Sequence, residues 1–224
     1  MATGFAGRAA RAGRLVALAV LAAASASAGP PPPPLAGRIE HPGGESACSA
    51  ALLAPDLALT AGHCMGPESG PRPFRPPDGG APVRTGAVQR HPVYGTWWSG
   101  ARRWRYDLAV VALDPPVPGA RQPALPVGPP PRAGEPLWLE TWRIDRPEPL
   151  RRPCPVTSVT EGLAMLACPV RSGHSGGPVL RLAEAGPEIV AVVVAQAGIG
   201  AVAAPLAPRI GALLEAAGRA DGRP

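Results

Sequence analysis

Three short motifs carry residue types that could act together in one reaction. "LTAGHC" places His63 after a run of small and apolar residues, "YDLAVVAL" has Asp107 ahead of an apolar run, and "GHSGGPV" places Ser175 among glycines. A serine hydroxyl is a poor nucleophile until a base within hydrogen-bond reach removes its proton. Imidazole suits that role because it titrates near neutral pH, and a carboxylate can hold it in the required tautomer. The motifs therefore predict nucleophilic catalysis by Ser175, with His63 as the base and Asp107 as its partner.

In this chain order, His then Asp then Ser, the motifs resemble those of the chymotrypsin-like (trypsin-fold) serine peptidases, particularly the compact bacterial members. The resemblance covers roughly residues 38–215. It implies an all-β fold of two six-stranded antiparallel β-barrels, with the active site in the cleft between them. It also implies a serine endopeptidase that acts on polypeptides through an acyl-enzyme and needs neither a cofactor nor a metal.

The glycines around Ser175 suit a site that stabilises negative charge. They let the backbone turn so that the N–H groups of Gly173 and Ser175 can point at one spot. Such donors would bind the oxyanion of an acyl-transfer intermediate, and one of them is typically worth about 3–4 kcal/mol. We therefore expect Gly173 and Ser175 to form the oxyanion hole.

The residue before Ser175 departs from the family pattern. Digestive and clotting members have Asp there, and it pairs with an N-terminus released by cleavage, whereas His174 offers no carboxylate. The stretch "GRIEHPGG" (37–44) resembles such a cleavage site but fits a first strand better, so we expect no activation of that kind. We expect His174 to support the oxyanion loop, hydrogen-bonded through one ring nitrogen. A sharper hypothesis is that its protonation changes the loop and adds an acid limb to the activity.

Other interpretations remain open at this point. Asp114 or Asp145 could partner the histidine in place of Asp107. The chain could also be a catalytically impaired homologue that uses the barrels as a binding module, with its oxyanion loop distorted by His174. An esterase of the α/β-hydrolase type is disfavoured, because its chain order is Ser, Asp, His.

The resemblance also indicates which segments would line the substrate pocket. These are residues 169–172, about 193–196 and about 201–203, and none of them contains an acidic residue. A preference for Arg or Lys substrates is therefore not expected, and small or apolar side chains are favoured.

Short apolar segments separated by turns make up most of the chain. The 28 glycines and 33 prolines disfavour long helices. The run 107–113 suits a buried strand, and 154–160 with 163–170 suits a hairpin. Residues 65–82 show no periodicity and are predicted to be a loop. Only the end of the chain has helical spacing, with apolar residues at Ile210, Leu213, Leu214 and Ala217 between Pro208 and Gly218.

These patterns predict the domain organisation. The N-terminal barrel would carry the histidine and the aspartate, and the C-terminal barrel would carry the serine. The predicted boundaries are a signal peptide over 1–28, a Pro-rich spacer over 29–37, an N-terminal barrel over 38–122, a C-terminal barrel over 123–207, and a helix with its tail over 208–224.

The four cysteines fit an exported protein, where disulfides persist. Their spacing suggests the pairs Cys48–Cys64 and Cys154–Cys168, although four cysteines allow three connectivities. Metal binding is the competing interpretation, but no C-x-x-C occurs.

The N-terminus has the features of an export signal. Three arginines precede the apolar run 15–24, and residues 26–28 read Ala-Ser-Ala, as at a signal peptidase site. The run is about half the length of a membrane span, with an uncleaved anchor as the alternative. Without these arginines the net charge falls from +6 to +3, so nucleic-acid binding is not expected. We expect a secreted or periplasmic monomer without a membrane span after cleavage.

Overall fold

The computed structural model describes residue 1 and most of residues 34–218. The gaps within that range are 42, 44–46, 67–69, 97–99, 121–124, 144 and 147. Apart from residue 1, the predicted signal peptide lies outside the described residues, and so does the start of the predicted spacer, 29–33. No helix in the described part of the chain has the length and apolar character needed to cross a membrane.

The first sheet is a closed antiparallel barrel. Its strands follow one another around the barrel in the order β1-β2-β3-β6-β5-β4. Closure removes the exposed strand edges that an open sheet would leave. The six strands are β1 (Ala36–Glu40), β2 (Ala47–Ala54), β3 (Leu57–Thr60), β4 (Pro73–Arg75), β5 (Val83–Arg90) and β6 (Ala109–Asp114).

Strand β4 corrects the prediction that residues 65–82 form only a loop. It pairs with β1 through Ile39 and Phe74, and with β5 through Phe74 and Val83, so it closes the barrel. The Phe74 side chain is fully buried. Three residues are too few to show a period-2 pattern, so this strand depends on its partners rather than on local sequence.

Strand β1 begins two residues before the predicted barrel boundary, inside the segment predicted as a spacer. The backbone N–H groups of Leu35 and Ala36 donate to one carboxylate oxygen of Glu140, at 2.7 and 3.0 Å. Glu140 is buried in the second sheet and forms an ion pair with Arg151. This contact fixes the entry of the chain into the first barrel.

The second sheet is also antiparallel and has seven strands. Their order is β8-β7-β11-β12-β13-β10-β9. The strands are β7 (Trp138–Thr141), β8 (Leu150–Pro153), β9 (Val156–Thr160), β10 (Leu163–Leu166), β11 (Pro178–Ala183), β12 (Gly186–Ala197) and β13 (Gly200–Pro205).

The all-β class is confirmed, while the second sheet differs from the expected six-stranded closed barrel. Its two end strands, β8 and β9, are consecutive in the chain and are separated only by Cys154 and Pro155. Backbone hydrogen bonds continue through this junction, because the Cys154 N–H donates to the Leu137 carbonyl at 2.8 Å and the Val156 N–H donates to the Glu135 carbonyl at 3.0 Å.

The predicted C-terminal helix and both predicted disulfides are confirmed. Two short helices are described, α1 (Gly100–Arg105) and α2 (Ile210–Ala216). Helix α2 packs against β5 and β6 and buries Leu213 and Leu214. The disulfides join Cys48 to Cys64 and Cys154 to Cys168.

Candidate active site

His63 and Asp107 are brought together by the pairing of two strands. His63 lies in a 3-10 turn (Gly62–Cys64) just after β3, and Asp107 lies just before β6. Thr60 at the end of β3 pairs with Ala109 at the start of β6, so the two flanking segments meet at one edge of the barrel. The Cys48–Cys64 disulfide fixes the same turn to β2.

The Asp107 carboxylate contacts His63 with both oxygens. One oxygen lies 2.6 Å from Nδ1 of the ring, and the other accepts the His63 backbone N–H at 2.7 Å. The Asp107 side chain is only 3% exposed, whereas the His63 side chain is 34% exposed. Because an ionised carboxylate only accepts hydrogen bonds, the His63 proton lies on Nδ1, and Nε2 is free to act as a base.

The other candidate carboxylates do not occupy this position. Asp114 is exposed at the far end of β6. Asp145 is bound by the Arg143 guanidinium. The group Cys48, His63 and Cys64 places three possible donor atoms within 4.8 Å of one another, but both sulfurs belong to the disulfide.

The loop that carries Ser175 packs against the strand that leads to His63. A Cβ added to Gly176 would lie 2.2 Å from the Thr60 hydroxyl oxygen and 3.1 Å from the Ala61 backbone nitrogen. The structure therefore brings the Ser175 and His63 segments together. Among the described residues, no hydrogen bond joins the Ser175 hydroxyl to His63.

The loop before Ser175 turns so that two backbone donors are left free. The His174 N–H donates to the Arg171 carbonyl at 3.0 Å, and Gly173 between them has a φ of 93°. This combination is a type II turn, which favours glycine at its third position. The N–H groups of Gly173 and Ser175 donate to no acceptor within the described part of the chain, so they are available to an oxyanion.

His174 is buried beside this loop. Its ring Nδ1 accepts the Arg171 backbone N–H at 3.3 Å and lies 3.4 Å from an Arg152 nitrogen. Because arginine only donates, the proton of the neutral ring lies on Nε2, and that buried atom has no partner among the described residues. Burial, together with the charges of Arg152, Arg143 and Arg171, lowers the His174 pKa to about 4.

This pKa predicts that acid destabilises the fold through His174. The folded-state pKa is about 4 against an ordinary 6.5, so the unfolded chain binds the proton first as the pH falls. The neutral His174 therefore contributes its full stabilisation above pH 6.5. This contribution is lost as the pH falls towards the folded-state pKa of about 4. When the pH falls from about 7 to about 5, the free energy of unfolding should decrease by about 2 kcal/mol because of His174.

Urea unfolding at both pH values tests this prediction, with His174→Asn as the comparison. The variant should lose less stability than the parent, because its amide does not titrate. Equal losses in the parent and the variant would show that other groups, such as His41 and His91, cause the effect. Both of these histidines also have pKa values lowered chiefly by burial.

Two of the three segments expected to line a substrate pocket present buried apolar residues, and the third, 169–172, contains Arg171. Val193 is buried and is bound to the Ser175 loop, since its N–H donates to the Gly177 carbonyl and its carbonyl accepts the Gly176 N–H. Ala201 and Ala203 on β13 are also buried. These segments contain no acidic side chain that could bind a basic one.

Sequence reasoning missed two polar residues that position this site. Ser49 is fully buried on β2 and hydrogen-bonds to the Ser175 loop. Glu140 is buried on β7 and binds the start of β1. Ser49 is the one polar residue in an otherwise small and apolar strand, and Glu140 is the one charged residue in β7. These patterns are the local signals that could have identified them.

Comparisons with known proteins find similarity in structure. No model of a protein family matches the chain, and no curated protein matches it significantly. A Glu endopeptidase, in a structure of its complex with MPD, has a TM-score of 0.67 at 20% identity, covering 86% of this chain and 93% of that one. The inactive form of the Rv3671c protease has a TM-score of 0.59 at 16% identity, covering 82% of this chain and 88% of that one.

These likenesses agree with the architecture of the described residues. Both solved structures are proteases with the trypsin-like fold. The closed six-stranded barrel, the second antiparallel sheet and the C-terminal helix of this chain match that fold. The identities are low, so the likeness establishes the fold and not the activity. The chain has the trypsin-like serine protease fold.

Proposed function

We propose that this chain is an exported serine endopeptidase that uses His63, Asp107 and Ser175. The observation that carries the proposal is the double contact of the buried Asp107 carboxylate with the His63 ring and backbone. This contact leaves Nε2 unprotonated, as a general base requires. The trypsin-like fold of the chain supports the same assignment.

The reaction we propose proceeds through an acyl-enzyme. His63 Nε2 takes the proton of the Ser175 hydroxyl as its oxygen bonds to the carbonyl carbon of the scissile peptide. The oxyanion that forms accepts hydrogen bonds from the N–H groups of Gly173 and Ser175. When the C–N bond breaks, His63 returns the proton to the departing amine. Water then attacks the ester with His63 again as base, and this step releases the carboxylic acid and restores Ser175.

Export is part of the proposal. Two disulfides are stable in an oxidising compartment and are rare where thiols are kept reduced. The signal-like pattern of residues 1–28 would direct the chain to such a compartment, secreted or periplasmic. The proposed two-domain boundary near 122–123 falls between β6, which ends at Asp114, and β7, which begins at Trp138.

We propose that basic substrate side chains are disfavoured near the cleaved bond. Three arginines (Arg143, Arg152 and Arg171) act by charge on His174, and only Asp145 acts in the opposite sense. This excess of positive charge beside the Ser175 loop repels Lys and Arg, while the buried apolar residues of β12 and β13 accept neutral side chains. It also favours acidic side chains, and one structurally similar protein is a Glu endopeptidase.

Hydrolysis of a matched peptide panel tests the proposed function. The peptides differ only in the residue before the scissile bond, which is Glu, Leu or Arg. The parent should cleave the Glu or Leu peptide fastest, and Ser175→Ala should cleave none above the background rate. Activity that survives in Ser175→Ala would refute Ser175 as the nucleophile. A folded parent that binds the peptides without cleaving any of them would favour the binding module.

A further inference from the structure

Ser49 connects the oxyanion loop to the rest of the protein. Its backbone N–H donates to the carbonyl oxygens of both Gly173, at 3.0 Å, and Ser175, at 2.8 Å. Its hydroxyl lies 2.8 Å from the same Gly173 carbonyl oxygen. One buried residue of the first barrel therefore binds the carbonyls on both sides of His174.

The direction of the Ser49 hydroxyl is determined by its neighbours. The Trp142 backbone N–H donates to Oγ at 2.8 Å, so Oγ is the acceptor in that contact. The Gly173 carbonyl has no hydrogen to give, so the Ser49 O–H must donate to it. The Ser49 hydroxyl thus donates to the loop and accepts from Trp142, the residue just after β7.

The contacts of Ser49 restrict rotation of the Gly173 backbone, which also sets the direction of the Gly173 N–H group. The Gly173 N–H and C=O are attached to one Cα, and glycine has no Cβ to limit rotation there. Two donors on the Gly173 oxygen fix the plane of the peptide that follows, and so oppose rotation about this residue. The Ser175 carbonyl accepts the Ser49 backbone N–H alone, so the Ser49 hydroxyl acts on the Gly173 carbonyl.

We propose that Ser49 is a positioning residue for the oxyanion hole. Its hydroxyl keeps the Gly173 N–H group aimed at the reacting carbonyl, and its backbone N–H holds the Ser175 carbonyl in place. This inference rests on the proposed peptidase function for its catalytic consequence. The effect on the loop itself is independent of whether the chain is an enzyme.

The test replaces Ser49 with Ala, which removes the hydroxyl and keeps the backbone donor. Thr141→Val is the matched control, because the buried Thr141 hydroxyl has no partner among the described residues. In Ser49→Ala we expect kcat to fall about tenfold, less than the loss of a whole donor, and KM to change by less than about twofold. Binding of a peptide boronate, which forms a tetrahedral anion on Ser175, should weaken by the same factor as kcat.

Hydrogen exchange of the peptide covering 171–177 provides a readout that needs no activity. Exchange should be about tenfold faster in Ser49→Ala than in the parent or in Thr141→Val. Ser49→Gly repeats every measurement if Ser49→Ala does not fold, since it also lacks the hydroxyl and keeps the donor.

The outcomes separate this inference from the proposed function. If the parent hydrolyses peptides and Ser49→Ala matches Thr141→Val in kcat, boronate affinity and exchange, the role of Ser49 is refuted. If the parent hydrolyses nothing but Ser49→Ala still loosens the loop, the proposed function fails while the positioning of the loop by Ser49 stands. The positioning role of Ser49 would also be refuted if kcat falls in Ser49→Ala while KM rises by the same factor and the boronate affinity stays unchanged.

Discussion

Replacing Asp107 with Asn should lower kcat by about 10⁴, with only a small change in KM. The oxygen of the introduced amide can still accept the His63 backbone N–H, so the turn should keep its shape. The NH₂ group of that amide would then face Nδ1 of the ring and favour the tautomer that carries the proton on Nε2. That tautomer cannot accept the Ser175 proton. Steady-state hydrolysis of the best peptide in the panel measures the effect.

Asp114→Asn is the control for this substitution. Asp114 is exposed at the far end of β6, so its variant should keep the parent's kcat. Unfolding curves of both variants should resemble that of the parent. Asp107→Asn activity within about tenfold of the parent would show that the carboxylate is not needed to orient His63.

Substituting Gly176 with Ala should destabilise the protein by about 3–5 kcal/mol, since both strain and overpacking contribute. Gly176 has a φ of 83°, in the region that L-residues rarely adopt. The added Cβ would lie 2.0 Å from the Ser49 carbonyl oxygen and 2.2 Å from the Thr60 hydroxyl oxygen. The Ser49 carbonyl is part of a paired strand and cannot withdraw without breaking its own contacts.

The Gly79→Ala variant separates the cost of backbone strain from the cost of overpacking. Gly79 has a similar φ of 76°, but nothing lies within 4 Å of an added Cβ. Its substitution should therefore cost only the conformational part, about 1–2 kcal/mol. Urea unfolding followed by tryptophan fluorescence measures both variants. Equal losses would contradict the close packing of the Ser175 loop against Ser49 and Thr60.

The parts of the site that sequence predicts are those with a local chemical signature. His63 beside a cysteine, Asp107 ahead of an apolar run and Ser175 in a glycine-rich turn could each be proposed as site residues from their neighbours in the sequence. The cysteine pairs followed from short loops, and the C-terminal helix followed from the spacing of its apolar residues. In each case the feature depends on residues close in sequence, or on a residue type, such as cysteine, that has few possible roles.

The features that sequence did not predict depend on distant partners. Strand β4 is three residues long and exists because β1 and β5 flank it. The roles of Ser49 and Glu140 are set by partners about 100 residues away in the chain, such as Gly173 for Ser49 and Leu35 for Glu140. Such contacts have no periodicity, and a buried polar residue reveals only that it needs a partner, not which one.

Labelling with a fluorophosphonate tests the central claim most directly, because this probe reacts with a serine only when the serine is activated. The claim is that Ser175 is an activated nucleophile. It predicts one phosphonate on the tryptic peptide that contains Ser175, and no label on Ser175→Ala. The absence of labelling between about pH 5 and about pH 9, in folded protein with both disulfides formed, would contradict it.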